Sequence, residues 1–338
     1  MTDPTARAPS FAGMRLISAD DVAATPIRVA VDALEAALRD GLDPERQTPR
    51  SRMATPTGEL LIMPATRDGY SACKLLTSTP DNMHRDLPLI QGAFVLFEGP
   101  EQRPAALVDG TALTNLRTPA VSALAVRYLL PRPAGDPLRL TVFGTGPQAR
   151  VHVEAMLALH EIGEVALVGR DSPRRDRLAA RLHRAGVPVR LCDPGSCTDA
   201  VARADVICCC TSAPTPLFDG ALVRDDAVVA AIGSHSPHTR EVDDRLVARS
   251  QVVVESLAST LREAGDIVIP LAAGVLREED LCPLRDVVTG RARLPAGGPR
   301  LFKGTGMPWQ DLVVGVEIYR THLAGRSSTG PAGSDPSG

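Results

Sequence analysis

The amino-acid sequence predicts an α/β protein with a doubly wound parallel sheet and a second, β-rich α+β domain. From residue 139 onward, short apolar strand-like runs alternate with helical patterns, which is typical of a parallel sheet. Between about residues 48 and 110, β-type runs are separated only by turn residues, which predicts an antiparallel sheet. With 338 residues, the chain is long enough to bury two separate cores.

The first part of the chain is predicted to begin with a disordered end and one helix. Residues 1–13, like residues 325–338, are rich in Ser, Thr, Pro, Gly and Asp and are expected to be disordered. Apolar spacing predicts a helix over 26–40 and another over 111–130, with Pro119 placed early in the second, where proline is tolerated. The β-type runs between these helices are 59–63, 71–76, 93–97 and 104–108.

A proline-rich linker at 131–137 separates this region from the alternating one. Strands are predicted at 139–143, 164–168, 187–191, 205–210, 227–232 and 251–254. Helices are predicted at 149–159, 173–185, 197–203 and 309–323. The predicted domains are therefore 14–130 plus 304–323, and 131–303.

The loop after the strand at 139–143 carries a dinucleotide-binding pattern. Gly144, Gly146 and Ala149 follow the spacing G-x-G-x-x-A between a strand and a helix. The first glycine permits a tight turn, the second lets the backbone approach a pyrophosphate, and Ala149 allows close packing of helix and strand. The helix N-terminus then offers N–H groups to the phosphates. A Rossmann domain is therefore predicted for 131–303.

Composition excludes several classes of partner. The formal net charge is −3 and aromatic residues make up 3% of the chain, so no nucleic-acid partner is expected. No apolar run approaches the roughly 20 residues of a membrane span, and no secretion signal is visible, so a cytoplasmic protein without membrane contact is expected. The run Cys208–Cys210 is interpreted as part of a buried strand, and no metal site is predicted.

Several ordered blocks between about residues 15 and 323 resemble the ornithine cyclodeaminase/mu-crystallin family. They are Arg50, residues 61–64, Lys74, 113–118 with 122–125, 144–150, 210–212, 232–237 with Arg240 and Glu241, 263–266, and 304–306 with Asp311. The resemblance implies a substrate-binding and dimerisation domain beside the Rossmann domain, a nicotinamide cofactor, and a homodimer. It also implies an α-imino or α-amino acid as the small-molecule substrate.

The resemblance assigns site residues to both domains. Arg50, Lys74 and Arg117 are expected to bind the substrate carboxylate, which suits the paired donors of arginine. Lys74, alone in an apolar run, could instead relay a proton or face solvent on an edge strand. The residues expected to bind the cofactor are Arg117, Thr118, Gly144, Thr145, Gly146, Pro147, Gln148, Ala149, Gly169, Arg170, Ser172, Thr211, Ser212, Gly233, His235, Gly304, Thr305 and Gly306.

Two departures from the family pattern bear on the reaction. Leu61 and His235 stand where cyclodeaminases carry a glutamate and an aspartate, so a cyclisation that releases ammonia is disfavoured. The unperturbed pKa of histidine lies near neutrality, so His235 is a candidate catalytic proton donor beside Lys74. Equally, His235 could line the cofactor pocket. Glu241 and Asp311 are interpreted as mainly structural.

The end of the second Rossmann strand bears on the choice of cofactor. Gly169 and Arg170 follow this strand, where relatives that use NAD carry an acidic residue. A neutral residue followed by arginine leaves room and positive charge for a 2′-phosphate, to which Ser172 and Arg174 could add contacts. NADP(H) is therefore preferred, with NAD(H) as the alternative if Asp171 binds the ribose.

The leading hypothesis is an NAD(P)H-dependent oxidoreductase that reduces the C=N group of a 2-imino acid. Typical substrates would be Δ1-pyrroline-2-carboxylate or Δ1-piperideine-2-carboxylate. The alternatives are a cyclodeaminase-like enzyme, an amino-acid dehydrogenase, and a catalytically silent cofactor-binding protein of the crystallin type.

Overall fold

The computed structural model describes residues 11, 13–85, 87–131, 136–170 and 172–327, apart from the side chains of residues 83, 84, 326 and 327. Most of the two predicted disordered ends, much of the predicted linker, and Asp171 lie outside these residues. The C-terminal end was predicted to lose order from residue 325, but residues 325–327 still belong to the last helix.

The chain folds into two compact units. Unit 1 takes the described residues of Met1–Ala33, Gln47–Leu116 and Pro308–Gly338, and unit 2 takes Leu34–Arg46 and Arg117–Met307. This division differs from the predicted domains because residues 34–46, 117–130 and 304–307 join unit 2. In the first of these segments, the Glu35 carboxylate accepts hydrogen bonds from Arg127 Nη1 and from the Tyr128 hydroxyl, each at 2.6 Å.

Unit 1 contains a six-stranded sheet in the order β1-β6-β5-β4-β3-β2. All neighbouring strands are antiparallel except β1 and β6, which are parallel. The four predicted β-runs are confirmed as β3 to β6, whereas the short edge strands β1 and β2 were not predicted because most of their residues are exposed. The strands are β1 (Arg15–Ile17), β2 (Ser51–Thr55), β3 (Gly58–Arg67), β4 (Tyr70–Ser78), β5 (Ile90–Glu98) and β6 (Arg103–Asp109).

The C-terminal helix covers one face of this sheet. Helix α11 contacts β3, β4 and β5, and Leu312, Val314 and Ile318 are buried along it. Because successive side chains of a strand point to opposite faces, Ala72, Lys74 and Leu76 of β4 share one face. All three are buried. The helices of this part of the chain are α1 (Ala19–Ala23), α2 (Ile27–Arg39), α3 (Gly110–Leu129) and α11 (Pro308–Ser327).

The predicted position of Pro119 is wrong. Helix α3 begins at Gly110, where Asp109 Oδ1 accepts the Ala112 N–H at 2.8 Å, so Pro119 lies in the middle of the helix rather than in its first turn. Arg117, which precedes Pro119 by two residues, is likewise in the interior of the helix and is buried. Because the helix was already predicted to start at residue 111, the error was to count Pro119 as part of its first turn.

Unit 2 contains an eight-stranded sheet in the order β13-β12-β14-β11-β10-β7-β8-β9, and every neighbouring pair in it is parallel. The predicted parallel sheet is confirmed, but the strands β13 and β14 were not predicted. Strand β14 is short and has a charged residue at each end, Arg300 and Lys303, so only two consecutive apolar residues indicate it in the sequence. The strands are β7 (Leu138–Phe143), β8 (Ile162–Val168), β9 (Val189–Cys192), β10 (Val206–Cys209), β11 (Val228–Ala231), β12 (Gln251–Val254), β13 (Leu281–Pro283) and β14 (Arg300–Lys303).

The central strands of unit 2 are apolar along their whole length because both faces of the sheet are covered. In β10, Val206, Ile207, Cys208 and Cys209 are all buried, which confirms the interpretation of the cysteine run for its first two members. Burial raises the pKa of the Cys208 thiol to about 12. The helices around this sheet are α4 (Pro147–Leu159), α5 (Pro173–Arg184), α6 (Thr198–Arg203), α7 (Asp244–Arg249), α8 (Leu257–Glu263), α9 (Gly265–Ala272) and α10 (Leu284–Val288).

Candidate active site

Most predicted cofactor-binding residues lie in loops at one edge of the eight-stranded sheet. Because all its strands are parallel, the loops that follow β7, β8, β10, β11 and β14 leave the same edge of the sheet. Residues 144–146, 169–170, 172, 211–212, 233–235 and 304–306 occupy these loops, and residues 147–149 form the first turn of α4. Ligands of open α/β sheets bind at this carboxyl edge. Unit 2 therefore brings these predicted residues to the expected edge.

The loop between β7 and α4 has the backbone of a phosphate-binding turn. Gly144 has φ of +113°, and a Cβ atom there would lie 2.7 Å from the Cys210 carbonyl oxygen, so the position requires glycine. Gly146 is the N-cap of α4, no side chain caps this helix, and Pro147 occupies its first turn. A helix N-terminus without a side-chain cap is suited to bind an anion.

A buried hydroxyl on α3 also fits a polar ligand. Thr118 Oγ1 is buried and has no hydrogen-bond partner among the described residues. An unsatisfied buried hydroxyl is costly, and a ligand oxygen would satisfy it. Unit 2 therefore has a buried hydroxyl and an uncapped helix start, both of which are chemically suited to contact an anion.

Glu241 ties together the loops that follow β10 and β11. Its Oε1 accepts the Thr211 N–H at 2.7 Å and the Thr211 hydroxyl at 2.8 Å, and its Oε2 accepts the N–H groups of Gly233 at 2.7 Å and Ser234 at 3.3 Å. Burial raises the pKa of the Glu241 carboxyl, while the Lys303 cation and the bonds from Thr211 lower it. Glu241 thus fixes the loop that carries the candidate proton donor His235, which is itself half-buried.

A buried ion pair also contacts the loop after β11. Lys303 Nζ lies 2.7 Å from Asp266 Oδ2 and donates to the Ser234 carbonyl at 2.6 Å, and both side chains of the pair are fully buried. The other carboxylate oxygen of Asp266 accepts the N–H groups of Glu241 and Val242, at 2.6 and 3.0 Å. Lys303 and Asp266 therefore link the end of β14 to the loop after β11.

The Glu255 carboxylate holds the loop that follows β14 by accepting hydrogen bonds from its backbone. Its Oε2 accepts the N–H groups of Thr305 at 3.0 Å and Gly306 at 2.8 Å. Gly306 has φ of +78°, and a Cβ atom there would lie 2.5 Å from Nη1 of Arg117. The predicted residue Arg117 therefore packs its guanidinium against the predicted loop 304–306, both within unit 2.

The loop after β8 contains the residues predicted to select the cofactor. Thr145 of the glycine loop lies against Gly169, Arg170 is exposed, and Arg174 is half-buried at the start of α5. Ser172 caps α5, because its hydroxyl accepts the Arg175 N–H at 3.3 Å. The competing candidate Asp171 lies outside the part of the chain that the structure describes.

In unit 1, Lys74 is buried on the face of the sheet that α11 covers. Its Nζ lies 2.6 Å from Asp311 Oδ1 on α11 and 3.2 Å from the Thr114 hydroxyl on α3. The alternative of a solvent-facing lysine on an edge strand is wrong, because β4 is an interior strand and Lys74 has no exposed surface. Arg50, directly before β2, is half-buried.

The surroundings of Leu61 are apolar. Leu61 packs with Met63 and Leu76 in one buried cluster, against which Ile90 also packs. Met63 is the register partner of Lys74, so this cluster adjoins the lysine on the same face of the sheet. A carboxylate in place of Leu61 would be desolvated there, which agrees with the departure from the cyclodeaminase pattern.

Three residues that hold the site loops could not be identified from the sequence. Glu255 and Lys303 were not singled out, and Asp266 was named only within the block 263–266. Glu255 and Lys303 are charged residues at the ends of apolar strands, Asp266 lies in the first turn of α9, and all three are buried. A charge that interrupts an apolar run was the available signal, but its partner could be found only in the tertiary structure.

Neither a metal cluster nor a membrane-crossing helix accompanies these loops in the described part of the chain. Within the described ranges, no group of three or more His, Cys, Asp or Glu side chains could hold a metal ion. Over the same ranges, no helix combines the length and apolar character that a membrane crossing demands. The fold and the loops described above define a dinucleotide-binding protein of the Rossmann type.

Comparison with known proteins gives the family. The sequence profile of the ornithine cyclodeaminase/mu-crystallin family matches residues 17–326, and this chain belongs to that family. It is 36% identical over 261 residues to the Δ1-pyrroline-2-carboxylate reductase of Colwellia psychrerythraea, covering 76% of this chain and 82% of the relative. It is 31% identical over 271 residues to the ketimine reductase mu-crystallin of Rattus norvegicus, covering 80% and 82%.

A solved structure agrees over nearly the whole chain. The iminosuccinate reductase of Paracoccus denitrificans in complex with NAD+ superposes with a TM-score of 0.82 at 26% identity, covering 93% of this chain and 97% of that one. The predicted family and the predicted combination of a Rossmann domain with a second domain are thereby confirmed.

Proposed function

We propose that this protein is an NAD(P)H-dependent reductase of a 2-imino acid, which it converts to the amino acid. The observation that carries the proposal is Lys74, a buried cation paired with Asp311 beside an apolar cluster, in a family member that also has a dinucleotide loop. Such a cation suits a substrate that combines a carboxylate with an uncharged ring or side chain. The names of the Colwellia and rat relatives support the same class of reaction.

In this proposal the substrate carboxylate is bound by Arg50, Lys74 and Arg117. Arginine offers paired charge-assisted hydrogen bonds, and Lys74 adds a fixed positive charge. The nicotinamide, when bound, supplies a hydride to the imine carbon. Glu241 and Lys303 hold the loop 233–235, so that His235 keeps a constant position.

The function is tested by NADPH and NADH oxidation with Δ1-pyrroline-2-carboxylate, Δ1-piperideine-2-carboxylate and open-chain 2-imino acids. We expect turnover with at least one cyclic imino acid, formation of proline or pipecolate, and no ammonia release from ornithine. Binding of the cofactor without oxidation on every substrate would instead favour a silent binding protein. Ammonia release from ornithine would favour the cyclodeaminase alternative.

His235 is proposed as a proton donor or as a lining residue of the cofactor pocket. It lies in the loop after β11, at the edge where the cofactor is expected. A His235→Ala variant distinguishes the two roles. Loss of turnover with an altered pH profile supports the donor, whereas full turnover at every pH excludes it.

NADP(H) is the proposed cofactor, on the strength of exposed Arg170 and its neighbours Ser172 and Arg174. An Arg170→Ala variant should lose roughly tenfold or more in kcat/KM with NADPH and little with NADH, because only NADPH offers the 2′-phosphate. Arg177→Ala, at an exposed position further along α5, is the matched control. Equal efficiency of the native enzyme with both cofactors would contradict the preference.

We also propose a homodimer formed through the outer face of the six-stranded sheet, opposite Lys74. Register pairing places Leu16, Leu107, Val95 and Cys73 in one row across four strands on this face. Leu16 is 70% exposed, and Met53 and Leu75 on the same face are 55% and 39% exposed. Exposed apolar side chains that share one face of a sheet are typical of a protein interface.

A further inference from the structure

Lys74 and Asp311 form an ion pair that is almost completely shielded from solvent. The side chains are 0% and 1% exposed, and the atoms Nζ and Oδ1 are 2.6 Å apart. Asp311 lies in the first turn of α11, and Lys74 lies in the middle of β4, 237 residues earlier. The pair is therefore a tertiary contact within unit 1.

The elements packed around Lys74 differ in what they present to it. The neighbouring strands place Met63 of β3 and Phe94 of β5 opposite Lys74, and neither of these buried side chains titrates. Helix α3 presents the Thr114 hydroxyl, and α11 presents the Asp311 carboxylate. Asp311 is thus the carboxylate that pairs with the ammonium.

Burial by itself favours loss of the proton from a lysine, because the charged form is desolvated. A carboxylate within about 4 Å has the opposite effect and stabilises the ammonium. At 2.6 Å, Asp311 also fixes the direction of the Lys74 side chain. These two effects bear on the choice, left open by the sequence, between a carboxylate-binding cation and a proton relay.

We propose that Asp311 is a positioning residue that keeps Lys74 protonated and aimed, so that Lys74 acts as a fixed cation and not as a proton relay. The proposal rests on the proposed reduction of a 2-imino acid. A protonated iminium accepts the hydride at carbon, the C=N double bond becomes a single bond, and its electron pair stays on nitrogen. The product amine is then neutral without a proton from Lys74.

The first test compares Asp311→Asn, Asp311→Glu and the native enzyme with Δ1-pyrroline-2-carboxylate and NADPH over a range of pH. Asp311→Asn should raise KM roughly tenfold or more and move the alkaline limb of kcat/KM to lower pH, because the ammonium loses its counter-charge. Asp311→Glu should return the alkaline limb of kcat/KM most of the way to its native pH. Glu98→Gln, which alters a contact to Tyr319 of α11 away from Lys74, should change neither quantity.

An unchanged pH profile and KM in Asp311→Asn would overturn the proposal. So would a fall in kcat of native enzyme that tracks deprotonation of Lys74 near neutral pH, since that is the behaviour of a relay. If the native protein oxidises NADPH with none of the imino acids, the proposed function fails but the pair can still be examined.

A double-mutant cycle in denaturant provides that separate readout. Asp311→Asn should lower the unfolding midpoint more than the double variant Asp311→Asn/Lys74→Met does, because only the single variant leaves a buried cation without its partner. If Asp311→Asn fails to fold while the double variant folds, the pairing is supported. Additive shifts of the two single variants would overturn it.

Discussion

At the scale of single residues, buried charges are the feature that organises this protein. Lys74, Lys303, Glu241, Glu255 and Asp266 each have at most 3% of their surface exposed, and each has a charged partner or backbone N–H partners. A buried pair adds little net stability compared with an apolar pair, but removing one partner is expensive. Glu241, Glu255, Asp266 and Lys303 therefore fix the geometry of loops, whereas Lys74 fixes the contact between β4 and α11.

Lys303→Met should be strongly destabilising. The variant leaves the Asp266 carboxylate without its cation, which costs roughly 3–5 kcal/mol of the free energy of unfolding. Chemical denaturation of the single variant and of Lys303→Met/Asp266→Asn checks this, and the double variant should recover part of the loss. Equal stability of Lys303→Met and the native protein would show that the pair is not formed.

His152 makes the protein sensitive to acid. Burial lowers its pKa from 6.5 to about 4, and the ring contacts the Gln148 carbonyl and the Ser122 hydroxyl. Between these two pH values the unfolded chain binds a proton that the folded chain does not. The contribution of His152 is therefore complete above about pH 6.5 and falls as the pH drops toward 4.

Denaturation at pH 7 and pH 5 measures this effect. The native protein should lose about 2 kcal/mol more than His152→Gln between these two pH values. His183→Gln changes an exposed histidine on α5 and serves as the control. Parallel losses in the native protein and in His152→Gln would exclude the buried neutral histidine.

At the scale of elements, the loop between β7 and α4 contains two glycines with different roles. One is required by the backbone conformation, and the other is expected to leave room for a ligand. Gly144 requires its positive φ and its close approach to Cys210, whereas Gly146 has φ of −82° and open space within 4 Å of the place that a Cβ atom would take. Gly144→Ala should therefore lower stability by roughly 1–3 kcal/mol. Gly146→Ala should lower stability less, because a Cβ atom there meets no neighbour and only the N-cap preference for glycine over alanine is lost.

The same two variants should differ in cofactor binding. Gly146→Ala is expected to weaken NADPH binding, because the added methyl group occupies space that a pyrophosphate needs. Calorimetric titration of each folded variant with NADPH measures this. Native affinity in Gly146→Ala would mean that the phosphates do not approach this loop.

Helices and strands with a clear pattern of apolar residues could be predicted from the sequence. Elements whose charged residues are buried by partners far away in the chain could not. Helix 26–40 and the strands of the parallel sheet as far as 251–254 were placed within a few residues, because an amphipathic stripe or an apolar run identifies them. Strand β14 was missed because Lys303 resembles a surface residue until Asp266 is known to contact it. Strands β1 and β2 lack a buried face that would show in the sequence.

At the scale of the whole molecule, the proposed homodimer depends on one exposed sheet face. Leu75→Glu places a charge in the middle of this face, and we expect the protein to become monomeric because the charge would be buried in the interface. Light scattering coupled to size-exclusion chromatography measures the mass. Leu191→Glu, at a similarly exposed leucine on β9, should leave the mass unchanged.

The amino-acid sequence was sufficient to predict the class of fold, the dinucleotide loop, the family, and the absence of the two cyclodeaminase carboxylates. These depend on local spacing and on residue identity, which a chain carries before it folds. The tertiary structure decided that Lys74 is buried against Asp311, that Arg117 is in the interior of its helix, and that Glu241, Glu255 and Asp266 hold the loops at the sheet edge. Partners such as Lys74 and Asp311 are 237 residues apart, so only the folded chain brings their opposite charges into contact.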